Sequence, residues 1–351
     1  TFSTVNTGGT TTYNWVNNTP SIGLAASGSG NIGTFNAVNT GTAPVVATIT
    51  VTPRFSNGSV NCDGPAQAFT ITVNPTAQVT DPANQVVCNG SPVTAVTFST
   101  NRTGGTTTYN WTNNATSIGL AASGTGNIAS FNAVNTGTSP VVATITVTPL
   151  FDNGSVSCSG PSESFTITVN PTAQVNDPAD RIVCNGAVTP VVTLSTVNTG
   201  GTTTYTWVND TPAIGLAAGG IGNVPSFTAA NAGNAPVTAT ITVTPSFDNG
   251  VTCSGPSQTF TITVNPSAQV NDPIDQELCN GASSAAVTFS TLRTGGTTTY
   301  SWTNNKPSIG LAAVGTGDIP VFTASNITTA PVVATITVTP SYENGSVTCS
   351  G

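Results

Sequence analysis

Histidine and methionine are both absent from the 351 residues, and Lys, Arg, Asp and Glu together make up only 5% of them. Without histidine the commonest general base and the commonest neutral metal ligand are missing. No Ser-His-Asp or Cys-His set can therefore be assembled, and outside the joints between repeats no two acids recur at matching positions to offer a two-carboxylate hydrolase. The chain reads as a non-enzyme with no cofactor. Five Lys+Arg against 13 Asp+Glu give a net charge of -8, which leaves no basic face to neutralise phosphates and speaks against nucleic-acid binding. No apolar run reaches the roughly 18 residues of a membrane span, and no signal peptide is visible. The first residues are Thr-Phe-Ser, with no initiator Met, which is the expectation for a mature or excised piece.

What is present is β-forming. Apolar residues make up 37%, enough to fill cores, and threonine, valine and isoleucine suit a pleated, half-buried surface. The 36 Gly and 24 Pro supply turns between short strands. With so few charges, solubility rests on the hydroxyls and amides of Thr, Ser and Asn.

The organisation comes from an internal repeat. Trp15, Trp111, Trp207 and Trp302 are spaced by 96, 96 and 95 residues, each in a Tyr-x-Trp string. Ser21 to Pro53 matches Ser117 to Pro149 at 29 of 33 positions. This period fits the ~100 residues of an immunoglobulin-like sandwich and exceeds the roughly 20 to 50 of solenoid units. The predicted fold is therefore all-β, as tandem immunoglobulin-like β-sandwich repeats forming an elongated rod. Val141, Ala143, Ile145 and Val147 alternate with Val142, Thr144, Thr146 and Thr148, and Phe165, Ile167 and Val169 alternate with Thr166, Thr168 and Asn170. Both stretches carry the period of two of a strand with one face inward.

A Val-Asn-Pro string ends the closing strand at residues 73–75, 169–171 and 264–266, and proline cannot continue a ladder. Placing the boundaries there gives repeats at 1–75 (opening strand missing), 76–171, 172–266 and 267–351 (closing strand missing). Short proline-bearing joints follow, so successive repeats should be joined stiffly, as a window onto a longer array. A missing strand supplied by a neighbouring subunit is the alternative.

Seven cysteines fall at 62, 88, 158, 184, 253, 279 and 349. Pairing inside each repeat gives Cys88 with Cys158, Cys184 with Cys253 and Cys279 with Cys349, leaving Cys62 to a cysteine upstream of the chain. The rival scheme joins Cys62 to Cys88 across a joint. The chain runs away by ~3.3 Å per residue along the closing strand after Cys62, which disfavours the rival. Disulfides imply an oxidising, extracellular setting.

Other candidates have a plainer reading. Alternation puts Trp15, Trp111, Trp207 and Trp302 in the cores, rather than on an exposed carbohydrate-stacking platform. The joint acids Asp81 with Asn84, Asp177 with Asp180, and Asp272 with Asp275 and Glu277 offer too few oxygens for calcium and suit turns before proline. Gly28 to Ile32 and Gly124 to Ile128 mimic phosphate loops, but neither a helix nor a Lys accompanies them. The Asn57-Gly58-Ser59 and Asn153-Gly154-Ser155 triplets are expected by chance in a chain so rich in Asn, Ser and Thr.

The combination of Val87-Cys88-Asn89-Gly90, Thr108-Tyr109-Asn110-Trp111, Ile118-Gly119-Leu120-Ala121-Ala122, Gly124-Thr125-Gly126-Asn127-Ile128, Ala143 to Pro149, Cys158-Ser159-Gly160-Pro161 and Phe165 to Pro171 recurs along the whole chain. It resembles the PKD-like repeats of very large Bacteroidota cell-surface adhesins associated with gliding motility and exported by the type IX secretion system. That resemblance implies the shaft of a surface filament. The expected partners are neighbouring repeats of the same fibre. A surface polysaccharide or substratum is expected if each repeat instead acts as a weak binding module.

Overall fold

The structure, a computed structural model, describes residues 1–351. It divides into two compact units, Thr1–Pro171 and Thr172–Gly351, each holding two of the sequence repeats. The architecture is all-β, with short 3-10 turns as its only helical pieces.

Every repeat is assembled around one strand pair. The Trp-bearing strand (Thr10–Asn17, Thr106–Asn113, Thr202–Asn209, Thr297–Asn304) runs antiparallel to a long strand (Val45–Ser56, Val141–Asp152, Val237–Asp248, Ile336–Asn344). In the first three repeats the far edge of the long strand takes a closing strand, Gln67–Val73, Glu163–Asn170 or Gln258–Asn265, also antiparallel. An opening strand, Gln85–Cys88 or Arg181–Cys184, then adds in parallel to the closing strand in the second and third repeats. The first sheet has no opening strand and the fourth has no closing strand. In the second, third and fourth repeats a second layer faces the main sheet, pinned by the bridges Val96 with Ile128, Val192 with Val224 and Val287 with Ile319.

The alternation in the sequence dictates which way each sheet faces. Ala143, Ile145, Val147, Phe165, Ile167 and Val169 are buried with Trp111, Ile118 and Ile128 in one cluster. Their equivalents Ala239, Ile241, Val243, Phe260, Ile262 and Val264 form another with Trp207. Burying each large aliphatic or aromatic side chain contributes about 1.5–3 kcal/mol, which is how a sheet of this size closes. The outward face is tied by hydroxyls: Thr146 Oγ1 lies 3.0 Å from Ser164 Oγ and Thr148 Oγ1 lies 2.7 Å from Ser162 Oγ.

Trp15, Trp111, Trp207 and Trp302 are all buried, and each lies against a glycine of the short edge strand beside it. A Cβ at Gly124 would come 2.2 Å from Trp111 Cζ2, and the same overlap arises at Gly28, Gly220 and Gly315. The Gly-x-Gly strings are thus seats for the indoles. Gly124→Ala should destabilise the second repeat by about 1–3 kcal/mol, because the overlap falls on a rigid ring. Chemical denaturation read through Trp fluorescence measures this.

The cysteine pairing expected from sequence needs correction. Cys184 is bonded to Cys349, with Cα atoms 5.6 Å apart and 165 residues between them. The proposed pairs Cys184 with Cys253 and Cys279 with Cys349 are therefore absent, and Cys279 is a free thiol. Cys158 is also free, so Cys88, which is disulfide-bonded, is not paired with it. Cys62 keeps an exposed thiol, so the rival pair with Cys88 is absent too.

Strand direction explains the failure. Cys184 lies beside Asn265, at the finishing end of the closing strand. Cys253 lies beside Phe247, at the opposite end of the long strand that starts at Val237. Ten residues of extended chain separate those ends, roughly 33 Å, far beyond the ~7 Å a disulfide spans. The same geometry separates Cys88 from Cys158. Thiol titration of the denatured, unreduced chain should find three free thiols, Cys62, Cys158 and Cys279, whereas pairing within repeats would leave one.

Candidate functional site at the repeat joints

With no histidine, the side chains that recur with the repeat and touch across it are the natural candidates for function. They converge on the joints within each unit, and both joints are built alike.

The receiving loop is shaped first. Asn39 Nδ2 donates to the carbonyls of Val73 (2.7 Å) and Ala43 (2.9 Å), stapling residues 39–43 to the end of the closing strand. Asn231 does the same with Val264 (2.7 Å) and Ala235 (2.9 Å) in the second unit. A cation from the next repeat then docks on each loop. Arg102 donates from Nη1 to the Gly41 carbonyl (3.1 Å) and from Nε to the Thr76 carbonyl (2.8 Å). Arg293 Nη1 donates to the Gly233 carbonyl (2.7 Å) and to Asn234 Oδ1 (2.8 Å). Arg102 and Arg293 are two of the chain's five Lys+Arg. Hydrogen bonds from a charged donor are among the stronger ones in proteins.

Backbone contacts complete this half of the joint. The amides of Thr103 and Thr294 donate to the carbonyls of Thr42 and Asn234, each at 2.9 Å. Behind them Gly104 and Gly295 have φ of +75° and +76°, where a Cβ would strike Pro44 or Pro236 at 2.7 and 2.9 Å. Glycine is demanded there both by conformation and by the approach of the preceding repeat.

On the other side, the end of each closing strand meets a hairpin of the following repeat. Asn74 Nδ2 donates to the Val156 carbonyl at 3.0 Å while Asn153 Nδ2 donates to Asn74 Oδ1 at 2.7 Å. Asn265 and Asn344 repeat the exchange at 3.1 and 2.9 Å. The Cys184–Cys349 disulfide belongs to this side of the second unit's joint and makes it covalent. Tyr342 is fully buried nearby, donating from Oη to the Thr294 carbonyl at 2.8 Å, and burial raises its pKa while the nearby Arg293 charge opposes that rise.

Two of the joint residues singled out by sequence, Asp180 and Asn84, serve the backbone. Asp180 Oδ1 accepts the Thr261 amide at 2.6 Å, and Asn84 Oδ1 accepts the Thr166 amide at 2.7 Å, each pinning a closing strand. No three His, Cys, Asp or Glu side chains are grouped to hold a metal ion. No helix is long and apolar enough to cross a membrane.

One acid has a clear pH signature. Asp210 accepts the Thr240 amide and the Thr211 hydroxyl, both at 2.8 Å, and those hydrogen bonds hold its pKa below the ordinary 3.8. The stabilisation is complete above the ordinary value and is lost as pH falls through the lower folded one. Asn18, Asn114 and Asn305 accept the equivalent amides without titrating. The Thr240 amide shift should therefore titrate below pH 3.8 in the native chain and stay flat after Asp210→Asn, as NMR would record.

No protein-family model matches the chain, and no curated protein matches it. Among solved structures, it is similar to human CDH23 EC21-23 at 13% identity and a TM-score of 0.38, covering 79% of this chain and 98% of that one. Drosophila N-cadherin EC1-4 follows at 14% identity and 0.27, covering 97% and 90%. The Sidekick-1 immunoglobulin domains 1-5 match at 12% identity and 0.28, covering 97% and 72%.

The strings that begin at Gly28 and Gly124 stand out in the sequence, but their role as seats for the indoles does not, and nothing local marks the joint residues Asn39, Asn231, Arg102 and Arg293. Their signal was recurrence with the Trp spacing: Arg102 lies nine residues before Trp111, and Arg293 nine before Trp302. Asn198 stands at that position in the third repeat and donates to the Thr172 carbonyl at 3.1 Å.

Proposed function

We propose that the chain is a stalk or filament segment of an extracellular cell-surface adhesin, transmitting tension from repeat to repeat and catalysing no reaction. We place the repeat boundaries at 75/76, 171/172 and 266/267. The observation that carries this reading is the joint. Two units use the same asparagine-shaped loop, the same docked arginine and the same paired asparagines to fix one repeat on the next, and one of them adds a disulfide. Such conserved geometry from repeat to repeat suits a spacer that must keep its direction under load. The polar, almost uncharged surface suits an exposed filament, and a disulfide suits an oxidising compartment. The resemblance to PKD-like repeats of Bacteroidota adhesins supports gliding motility or surface attachment as the filament's role, with type IX export.

Gold-labelled antibody against the chain, applied to intact source cells, tests this reading. Label along surface fibres is expected, and label confined to lysed cells would overturn it. Glycan-array screening of the whole chain is the second arm. Binding at millimolar strength or better would favour a carbohydrate-binding module over a spacer.

A further inference from the structure

An asparagine followed by glycine is the pair most open to loss of its side-chain amide, because a residue without a Cβ leaves its own nitrogen unshielded beside the asparagine carbonyl. The dipeptide occurs seven times in the chain, in unlike surroundings. At residues 89–90, 185–186 and 280–281 the glycine amide is engaged by a backbone carbonyl, of Ala133, Ala229 and Ala324, at 2.7, 2.7 and 2.8 Å. Asn153-Gly154 is arranged differently. It lies in the hairpin between Val141–Asp152 and Ser157–Ser159, with Asn153 half-buried at the joint and Gly154 exposed. The Gly154 amide donates to a carboxylate, Asp152 Oδ1, at 2.6 Å. Asn153 Oδ1 accepts the amides of Ser155 and Val156, both at 3.1 Å, while its Nδ2 donates across the joint to Asn74 Oδ1 at 2.7 Å.

These contacts meet the needs of one reaction, closure of the Gly154 nitrogen onto the Asn153 side-chain carbon. A carboxylate within hydrogen-bond reach of the proton to be removed is placed to take it. Two amides on Oδ1 stand where negative charge gathers as the carbonyl is attacked, and fixed donors of that kind stabilise such charge. Asn57-Gly58 in the first repeat supplies the contrast. Its Oδ1 accepts the equivalent amides of Ser59 and Val60, at 3.1 and 3.0 Å. The residue before it is Ser56, which has no carboxylate and meets the Gly58 amide through its hydroxyl only at 3.4 Å.

We infer that Asn153 is a site of self-catalysed deamidation, a modification that opens the joint of the first unit as the protein ages. The Gly154 nitrogen bonds to Asn153 Cγ while its proton passes to the Asp152 carboxylate. The Cγ–Nδ2 bond then breaks, and the nitrogen leaves as ammonia with that proton. Water adds to either carbonyl of the resulting five-membered imide and opens it to aspartate or to isoaspartate. An ionised aspartate has only acceptors to offer, so the bond to Asn74 Oδ1 is lost. Isoaspartate instead inserts a methylene into the main chain of the hairpin, whose Val156 carbonyl accepts from Asn74 Nδ2 at 3.0 Å. Either product undoes the paired-asparagine clasp.

The test ages the full oxidised chain at neutral pH and follows its Asn-Gly peptides by mass spectrometry after proteolysis. Asn153 should convert about tenfold or more faster than Asn57, the least that a placed base contributes. Asp152→Ser, which copies the first repeat, should slow Asn153 to the Asn57 rate, and Ser56→Asp should speed Asn57 by about tenfold. Equal rates at the two asparagines, an Asn153 rate indifferent to Asp152→Ser, or faster conversion of Asn153 in the urea-unfolded chain than in the folded one would each overturn the inference. The consequence is read separately on Asn153→Asp. Exchange of the Thr103 amide, which donates to Thr42 across the same joint, should quicken by about tenfold. Unchanged exchange would overturn the opening of the joint.

Discussion

Replacing both Cys184 and Cys349 with alanine should lower the stability of the unit Thr172–Gly351 by about 5 kcal/mol, the chain-entropy value for a closed loop of that length. The disulfide spans 165 residues and joins the third repeat to the fourth. It therefore holds together two cores that otherwise meet through hydrogen bonds such as the Asn265–Asn344 exchange. Chemical denaturation with and without the substitutions checks this. The whole transition of the unit should move, and a shift confined to one repeat would mean that the bond acts locally. The paired control Cys158→Ala should be nearly silent, since that thiol is free.

Trp111→Ala should destabilise the second repeat by about 3–5 kcal/mol, the usual range for emptying a core of a large aromatic. That is a large share of the stability of a domain of this size. Trp111→Phe should be far milder. The buried Nε1 of Trp111 has no hydrogen-bond partner, so losing the indole N–H removes a desolvated donor and breaks no bond. The ratio of the two effects separates packing from hydrogen bonding. If Phe proved as damaging as Ala, an unseen partner such as a buried water would have to hold the indole. Differential scanning calorimetry of the two variants distinguishes these outcomes.

The fold is legible in the sequence where the physics is local and periodic. Alternation of Val141 to Thr148 defines a strand and its inward face because side chains of a strand point alternately to opposite sides. The core position of Trp111 follows in the same way from the Tyr-x-Trp string. The pairing of the cysteines was also accessible, and the error lay in tracing direction. The opening and closing strands run parallel, but Cys88 ends the first while Cys158 precedes the second. They therefore lie at opposite ends of the sheet. The joints were harder to foresee, because Arg102 and Asn39 are ordinary polar residues until the fold brings Gly41 and Thr76 to the guanidinium. Gly124 stands in a visible Gly-x-Gly string, but its necessity is not local, since it comes from the indole across the ladder.

The claim that these repeats carry tension through clasped joints is tested most directly by pulling the chain from its two ends in a single-molecule instrument, with and without reductant. With the disulfides intact, at least as many residues as the 165 that separate Cys184 from Cys349 should stay hidden from the applied force. Reductant opens that bond together with the bonding at Cys88 and Cys253, and should release at least roughly 580 Å of further contour length at about 3.5 Å per residue. A final extended length that reductant does not change would contradict the account.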